Sequence, residues 1–205
     1  MSNILVLASA NPGKIVEFQR ILPECIEIRL VSELGIILPP ETGRTFKENA
    51  VIKAKSAAAA SGHIAIGDDS GLEVDALNGL PGARSARYAG DHASDDDNVT
   101  KLLAAMSEVP AHQRTARFRC VIAMADPCGT VHAFEGEATG TIGDQPKGTL
   151  GFGYDPVFFI EDGRTFGEIA SEEKDLLSHR GAAMRALAPE LQRMLNEHCR
   201  YTGMR

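Results

Sequence analysis

The sequence predicts an α/β fold, a mixed β-sheet flanked by helices, and three observations carry that prediction. Short apolar runs of strand type alternate with helical patterns in the first third of the chain. Further on, Asp126-Pro127-Cys128-Gly129 is a hairpin signal between two long extended runs. The C-terminal part is helical again. Parallel-type units followed by a hairpin imply a sheet that carries both kinds of pairing.

The elements follow in order. Ile4 to Ala8 is a buried-type strand, and the polar loop Ser9-Ala10-Asn11-Pro12-Gly13-Lys14 follows it. Ile15, Phe18, Ile21 and Leu22 then recur at helical spacing. Ile26 to Val31 is a second strand, and residues 34–45 form a long connection rich in Gly, Pro and Thr. Thr45-Phe46-Lys47-Glu48 has the capping-box pattern, so a helix starts there, runs through the alanine-rich stretch to Ala60 and stops at Gly62. His63 to Ile66 is a strand ending at Asp68-Asp69, and Leu72 to Leu77 is a second extended run. Asn78 to Gly82 is a loop, and Ser94 caps a helix through Met106. Residues 115–125 and 130–137 are strands, Gly140 to Gly153 is a glycine-rich loop, and Pro156 to Ile160 is a last strand. Pro189 is expected to kink or split the final helical region.

Bulk properties bound the function. The chain has 205 residues, enough for one large domain or two intimately packed lobes with a substantial core. Hydrophobic content of 43% and charged content of 24% are ordinary for a soluble globular protein. A net charge of −7 argues against a protein that coats nucleic acid, while leaving room for a local basic pocket and a small phosphorylated ligand. Cys25, Cys120, Cys128 and Cys199 fit no zinc spacing and form no CxxC pair. Scattered thiols suit a reducing cytoplasm. No apolar run approaches membrane-span length, and the start enters a strand directly, so no signal peptide is expected.

Gly67-Asp68-Asp69-Ser70-Gly71-Leu72 is the most informative stretch. Two adjacent carboxylates at a strand end, in a glycine-flanked turn, suit a hard cation that keeps waters for phosphate oxygens to replace. The plain alternative is a polar turn. Ser9 to Lys14 sits at a strand–loop–helix junction, where unpaired N–H groups and the helix dipole favour phosphate and Ser9, Asn11 and Lys14 add donors. The GxxxxGK[ST] spacing is absent, and a capped helix start with a solvated lysine is the alternative. Glu41 is a loop carboxylate of interest only if it meets Asp68 and Asp69. Asn49 and Lys53 share a helix face, and such a face ordinarily meets water.

Further along, Arg84 reads as surface charge, while Arg87 beside Tyr88 is a candidate partner for the acidic cluster or a ligand. Gly151-Phe152-Gly153-Tyr154-Asp155-Pro156 offers aromatics to hold a flat ring and a carboxylate to accept from a base or sugar, the alternative being a turn with two core aromatics. Ser178-His179-Arg180 opens the last helix with donors suited to a carbonyl-bearing base, though a lone His-Arg pair is more often on the surface.

Together these stretches resemble the inosine triphosphate pyrophosphatase family of non-standard purine NTP pyrophosphatases. The matching pieces are Ser9–Lys14, Glu41-Thr42-Gly43 with Phe46 and Glu48-Asn49-Ala50, Asp68–Leu72, Pro81-Gly82 with Ser85–Tyr88, Phe152–Asp155, Lys174 and Ser178-His179-Arg180. They occur in the family's order along nearly the whole chain. The resemblance implies one ITPase-like domain over residues 1–205, an elongated mixed sheet with helices forming two lobes around a central cleft, and a homodimer. It implies that Ser9, Ala10, Asn11, Pro12, Gly13 and Lys14 cradle a triphosphate. Asp69 would be the catalytic carboxylate and, with Glu41, would hold Mg²⁺; Asp68 would help bind the metal or position the site. Ser70 would touch the substrate, and Phe152, Gly153, Tyr154, Asp155, Lys174, His179 and Arg180 would line the base pocket. One departure stands out: bacterial relatives often carry a second acidic residue where this chain has Pro40.

The implied reaction is hydrolysis of dITP, ITP or XTP to the monophosphate and pyrophosphate, clearing deaminated purines from the nucleotide pool. The implied partners are small purine nucleoside triphosphates, with neither nucleic acid nor membrane. A haloacid-dehalogenase-type phosphatase needs an Asp after the first strand, where this chain has Ser9-Ala10-Asn11. A serine hydrolase is disfavoured because Ser70 lacks the GxSxG frame. A nucleotide-binding regulator without turnover and a pyrimidine-preferring pyrophosphatase are the remaining alternatives.

Overall fold

The computed structural model describes residues 4–202, with side chains described through residue 194. Met1 to Asn3 and the Cys199 side chain therefore lie outside the described residues. The elements are β1 (Ile4–Ala8), α1 (Pro12–Ile21), β2 (Glu27–Leu30), α2 (Phe46–Ser61), β3 (Ile64–Val74), α3 (Asp95–Ala105), β4 (Thr115–Ala125), β5 (Val131–Ile142), β6 (Phe158–Phe159), α4 (Ser171–Leu177) and α5 (His179–Thr202), with short 3-10 turns between some of them. The strands form one six-stranded sheet in the order β2-β1-β3-β4-β5-β6. β1 pairs in parallel with β2 and β3, and β5 pairs antiparallel with β6, so the sheet is mixed as expected.

Local chemistry sets the helices. Asn11 caps α1 by accepting from Lys14 N–H at 3.1 Å, and Pro12 takes the first helical position, where a missing N–H costs nothing. Thr45 and Glu48 close both halves of a capping box on α2, and Gly62 ends it at φ 70°, a left-handed conformation that glycine adopts without strain. Ala50, Ala54, Ala57 and Ala58 form the buried stripe of α2, whose small side chains let it lie close on β1.

The chain divides into two compact units. One holds Met1–Asp69, Val121–Gly136 and Ala182–Arg205, and the other holds Ser70–Cys120 and Glu137–Gly181. The core of the first includes Leu5, Leu7, Phe18, Ile64, Ile66, Ile122 and Leu187. The second buries Leu72, Val74, Leu102, Phe118, Tyr154, Phe158 and Phe166 in one cluster.

Several boundaries differ from the sequence reading. Asp68 and Asp69 do not sit in a turn at a strand end: β3 runs unbroken for 11 residues from Ile64 to Val74. The turn propensity of Asp, Ser and Gly yields to ladder pairing and burial, which act over the whole strand. Gly67 serves packing, since a Cβ there would meet the Ala50 carbonyl oxygen at 2.6 Å and the Ala54 nitrogen at 2.8 Å on α2. The extended run expected through Leu77 stops at Val74, and Asp75–Leu77 is a 3-10 turn. β5 reaches Ile142, into the stretch read as loop, because Thr141 and Ile142 pair with Phe159 and Phe158. The last strand is only Phe158–Phe159, with a 3-10 turn over Asp155–Val157 before it. Pro189 does not split α5, and the buried Leu187 and Leu191 on either side anchor the helix across it.

Candidate active site

In the first unit, β1 ends at Ala8, and Ser9 accepts from the Asn11 N–H at 3.2 Å. That bond and the Asn11 cap shape the predicted phosphate loop, and Lys14 emerges from the first turn of α1. Its ammonium pairs with the Asp68 carboxylate, whose side chain is fully buried. Ala10, Asn11 and Pro12 are exposed, and Gly13 is half-buried.

α2 supplies the rest. Asn49 and Lys53, read from the sequence as a face turned to water, are 2% and 8% exposed. Lys53 Nζ donates to Glu41 Oε1 at 2.7 Å and to the Asp68 carbonyl oxygen, and lies 4.0 Å from Asp69 Oδ1. Asn49 Nδ2 donates to Asp69 Oδ2 at 3.0 Å, while Asn49 Oδ1 accepts from Gly43 N–H at 2.8 Å. The structure thus brings Lys14, Glu41, Asp68 and Asp69 together and adds two residues that the sequence reading passed over. A signal was present: Asn49 and Lys53 each precede a residue of the alanine stripe, Ala50 and Ala54, so both border the buried face.

Burial lifts the Asp69 pKa above its ordinary value, and the nearby Glu41 charge adds to that; Lys53, Lys14 and the Asn49 amide oppose the rise without cancelling it. A carboxylate in that condition is a better base than an exposed one and gains from any cation brought to it. Among the described residues no group of three or more His, Cys, Asp or Glu side chains is arranged to hold a metal.

In the second unit, Asp155 is buried and its Oδ2 accepts from Lys174 Nζ at 2.5 Å and from Phe152 N–H at 2.8 Å. Gly151, at φ 76°, has no room for a side chain, since a Cβ would come 2.0 Å from Asp155 Oδ2. Lys174 Nζ lies 4.8 Å from the centroid of the half-buried Phe152 ring, a cation–π distance. Gly153 N–H donates to Asp95 Oδ2 at 2.7 Å. Tyr154 is a core aromatic whose hydroxyl donates to the Ser85 carbonyl oxygen at 2.8 Å, so Phe152 is the aromatic left to meet a flat ring. His179 and Arg180 are buried, not on the surface: His179 stacks on Phe118 at 4.7 Å, and Arg180 donates to Ser70 Oγ at 2.8 Å. Arg84 is exposed, as read, and Arg87 is half-buried.

The Ham1 family model matches residues 5–190. The chain belongs to the Ham1 family. A dITP/XTP pyrophosphatase of Methylococcus capsulatus is 51% identical over 197 residues, spanning 94% of this chain and 98% of that relative. The dITP/XTP pyrophosphatase of Bacillus subtilis is 42% identical over 190 residues, spanning 91% of this chain and 96% of its own. Among solved structures, a Ham1 protein from Coxiella burnetii superposes with a TM-score of 0.84 at 40% identity, covering 94% of this chain and 100% of that one. The Mycobacterium abscessus nucleoside-triphosphatase / dITP/XTP pyrophosphatase has a TM-score of 0.72 at 42% identity, with 91% and 99% covered. The mixed sheet flanked by helices is therefore the Ham1 fold, and no helix among the described residues is long and apolar enough to cross a membrane.

Proposed function

We propose that this chain hydrolyses dITP, ITP and XTP to the nucleoside monophosphate and pyrophosphate, with Mg²⁺ as its cation. The observation that carries the chemistry is the Asp69 carboxylate, buried beside Lys53 and held by Asn49. The names of the relatives supply the substrate class.

Asp69 takes the proton of the water that attacks the α-phosphate, a task suited to a carboxylate whose burial has raised its pKa. Lys53 holds Glu41 towards the same place, with its ammonium 2.7 Å from one carboxylate and 4.0 Å from the other. The donor chemistry fits Mg²⁺. Glu41 and Asp69 are hard oxygen donors facing one ammonium, and a pair of carboxylates with waters and phosphate oxygens is how this ion is commonly held. When bound, it neutralises phosphate charge and acidifies water. Lys14 and the N–H groups at the start of α1 stabilise charge on the pyrophosphate leaving group.

Phe152 stacks on the base, and Arg180 and Lys174 offer donors to the six-position keto oxygen of hypoxanthine and xanthine. Adenine presents an amino group there, leaving donor against donor, and a buried donor without an acceptor discriminates strongly. Asp155 acts on the base indirectly, since its Oδ2 is engaged by Lys174 and Phe152. Ser9, Ala10, Asn11, Pro12 and Gly13 follow the triphosphate, Ser70, Gly153, Tyr154 and His179 complete the substrate contacts, and the whole chain works as one domain, as a homodimer in the cytoplasm.

The test is ion-exchange product analysis with Mg²⁺ across dITP, XTP, ITP, dATP, dGTP and dTTP. Monophosphate and pyrophosphate from the first three, with little from the others, is the expected result. Diphosphate and phosphate would mean that a different bond breaks, and tight dITP binding without turnover would make the protein a nucleotide sensor.

A further inference from the structure

We propose that Asn49 is a positioning residue that gives the two oxygens of Asp69 different duties. The inference rests on Asp69 being the proton acceptor of the hydrolysis.

The orientation of the Asn49 amide is fixed from both sides. The Gly43 backbone N–H can only donate, so it takes the amide oxygen, at 2.8 Å. That leaves the amide nitrogen for Asp69 Oδ2, at 3.0 Å. The amide cannot rotate away, because it is 2% exposed and Gly43 packs on it so closely that a Cβ there would lie 2.5 Å from Asn49 Oδ1. A hydrogen bond from a fixed donor keeps a lone pair of Asp69 on Oδ2 directed at Asn49. The other oxygen, Oδ1, turns towards Lys53 and the side on which Lys53 also holds Glu41. Oδ2 is thus the tethered oxygen and Oδ1 the working one.

The same amide binds the Glu41-Thr42-Gly43 segment, through Gly43, to the carboxylate of β3. One side chain on α2 therefore sets the carboxylate plane of Asp69 and the approach of the loop that carries Glu41. Reactions of this kind depend on sub-ångström placement of the base, so loss of the tether is expected in turnover and not in substrate affinity.

The test compares Asn49→Asp, Asn49→Ala and Asp69→Asn in the full chain, with steady-state dITP hydrolysis and thermal melts. Asn49→Asp is isosteric and keeps an acceptor for the Gly43 N–H, but it loses the donor to Asp69. Its expected result is a fall in kcat of about 30-fold or more, a part of the roughly 10²–10⁴-fold that a positioned general base contributes, with KM for dITP within about threefold. Asn49→Ala, which brings no new charge, should show the same split, and it decides the matter if the aspartate variant does not fold. A kcat within twofold of wild type in the folded variants, or an effect confined to KM, overturns the proposal. If Asn49→Asp is silent while Asp69→Asn is inactive, only this proposal fails. If Asp69→Asn keeps full turnover, the role of Asp69 itself fails, and the proposal with it.

Discussion

The Lys174 ammonium donates to Asp155 Oδ2 at 2.5 Å, with the two residues 4% and 2% exposed. This is a buried ion pair beneath an aromatic ring, and removing one member leaves the other charged and out of water. Lys174→Met is therefore expected to cost stability on the order of 3–5 kcal/mol. It also removes the cation beside the Phe152 ring, so KM for dITP should rise about tenfold or more while kcat changes less. Urea melts and steady-state kinetics check this; a variant with wild-type KM would remove Lys174 from base recognition.

Asp69→Asn separates catalysis from stability. Turnover should fall by about 10²-fold or more, the usual contribution of a general base. Stability should move the other way. The folded-state pKa of Asp69 lies above its unfolded value, chiefly through burial. The folded state thus binds the proton more tightly, and stability falls as pH rises from the ordinary aspartate pKa through the raised one. Above that window the charged side chain is a constant cost, which asparagine removes. The variant should melt higher than wild type at pH 7.5 without Mg²⁺, and the gap should close below the ordinary aspartate pKa. A lower melting temperature at pH 7.5 would contradict this reading.

Lys53 does the most to restrain the rise in the Asp69 pKa. Lys53→Met should push that pKa further up, so the acid limb of kcat/KM against pH should shift to higher pH. Turnover should fall by about 10²-fold, as for loss of one preorganised electrostatic contact. An acid limb in the wild-type position would show that Lys53 does not govern Asp69.

Gly67→Ala places a methyl group 2.6 Å from the Ala50 carbonyl oxygen. Backbone cannot yield as a flexible side chain does, so overpacking should cost about 1–3 kcal/mol. Because α2 carries Asn49 and Lys53, any separation of α2 from β3 should lower kcat as well. Denaturant melts that match wild type would show that the two elements tolerate the added volume.

Much of this is legible in the chain alone. The Thr45–Glu48 capping box and the Gly62 stop are local devices, and each stands where the residues placed it; α1, by contrast, starts at Pro12 behind an Asn11 cap, inside the stretch read as loop. Buried hydrophobic strands announced themselves by composition. Asp68 and Asp69 were legible as a pair of carboxylates, but not as residues in the middle of β3, because turn propensity is local whereas ladder pairing with a distant strand is not.

The sequence by itself determined the ends of α2, the Ser94 start of α3, the hydrophobic strands, the order of the motifs and their family resemblance. All of these are encoded in short windows or in their succession along the chain. Only the tertiary structure decided which polar groups are buried together. Asn49 and Lys53 face Asp69 across 20 and 16 residues of sequence; their place beside the alanine stripe marks them as bordering the buried face of α2 but does not say which groups they meet there. Their role follows from the closeness of β3 to α2, which the absence of a side chain at Gly67 permits. Burial then converts an ordinary carboxylate into one with a raised pKa, because desolvation depends on what surrounds a group in space and not on its neighbours in the chain.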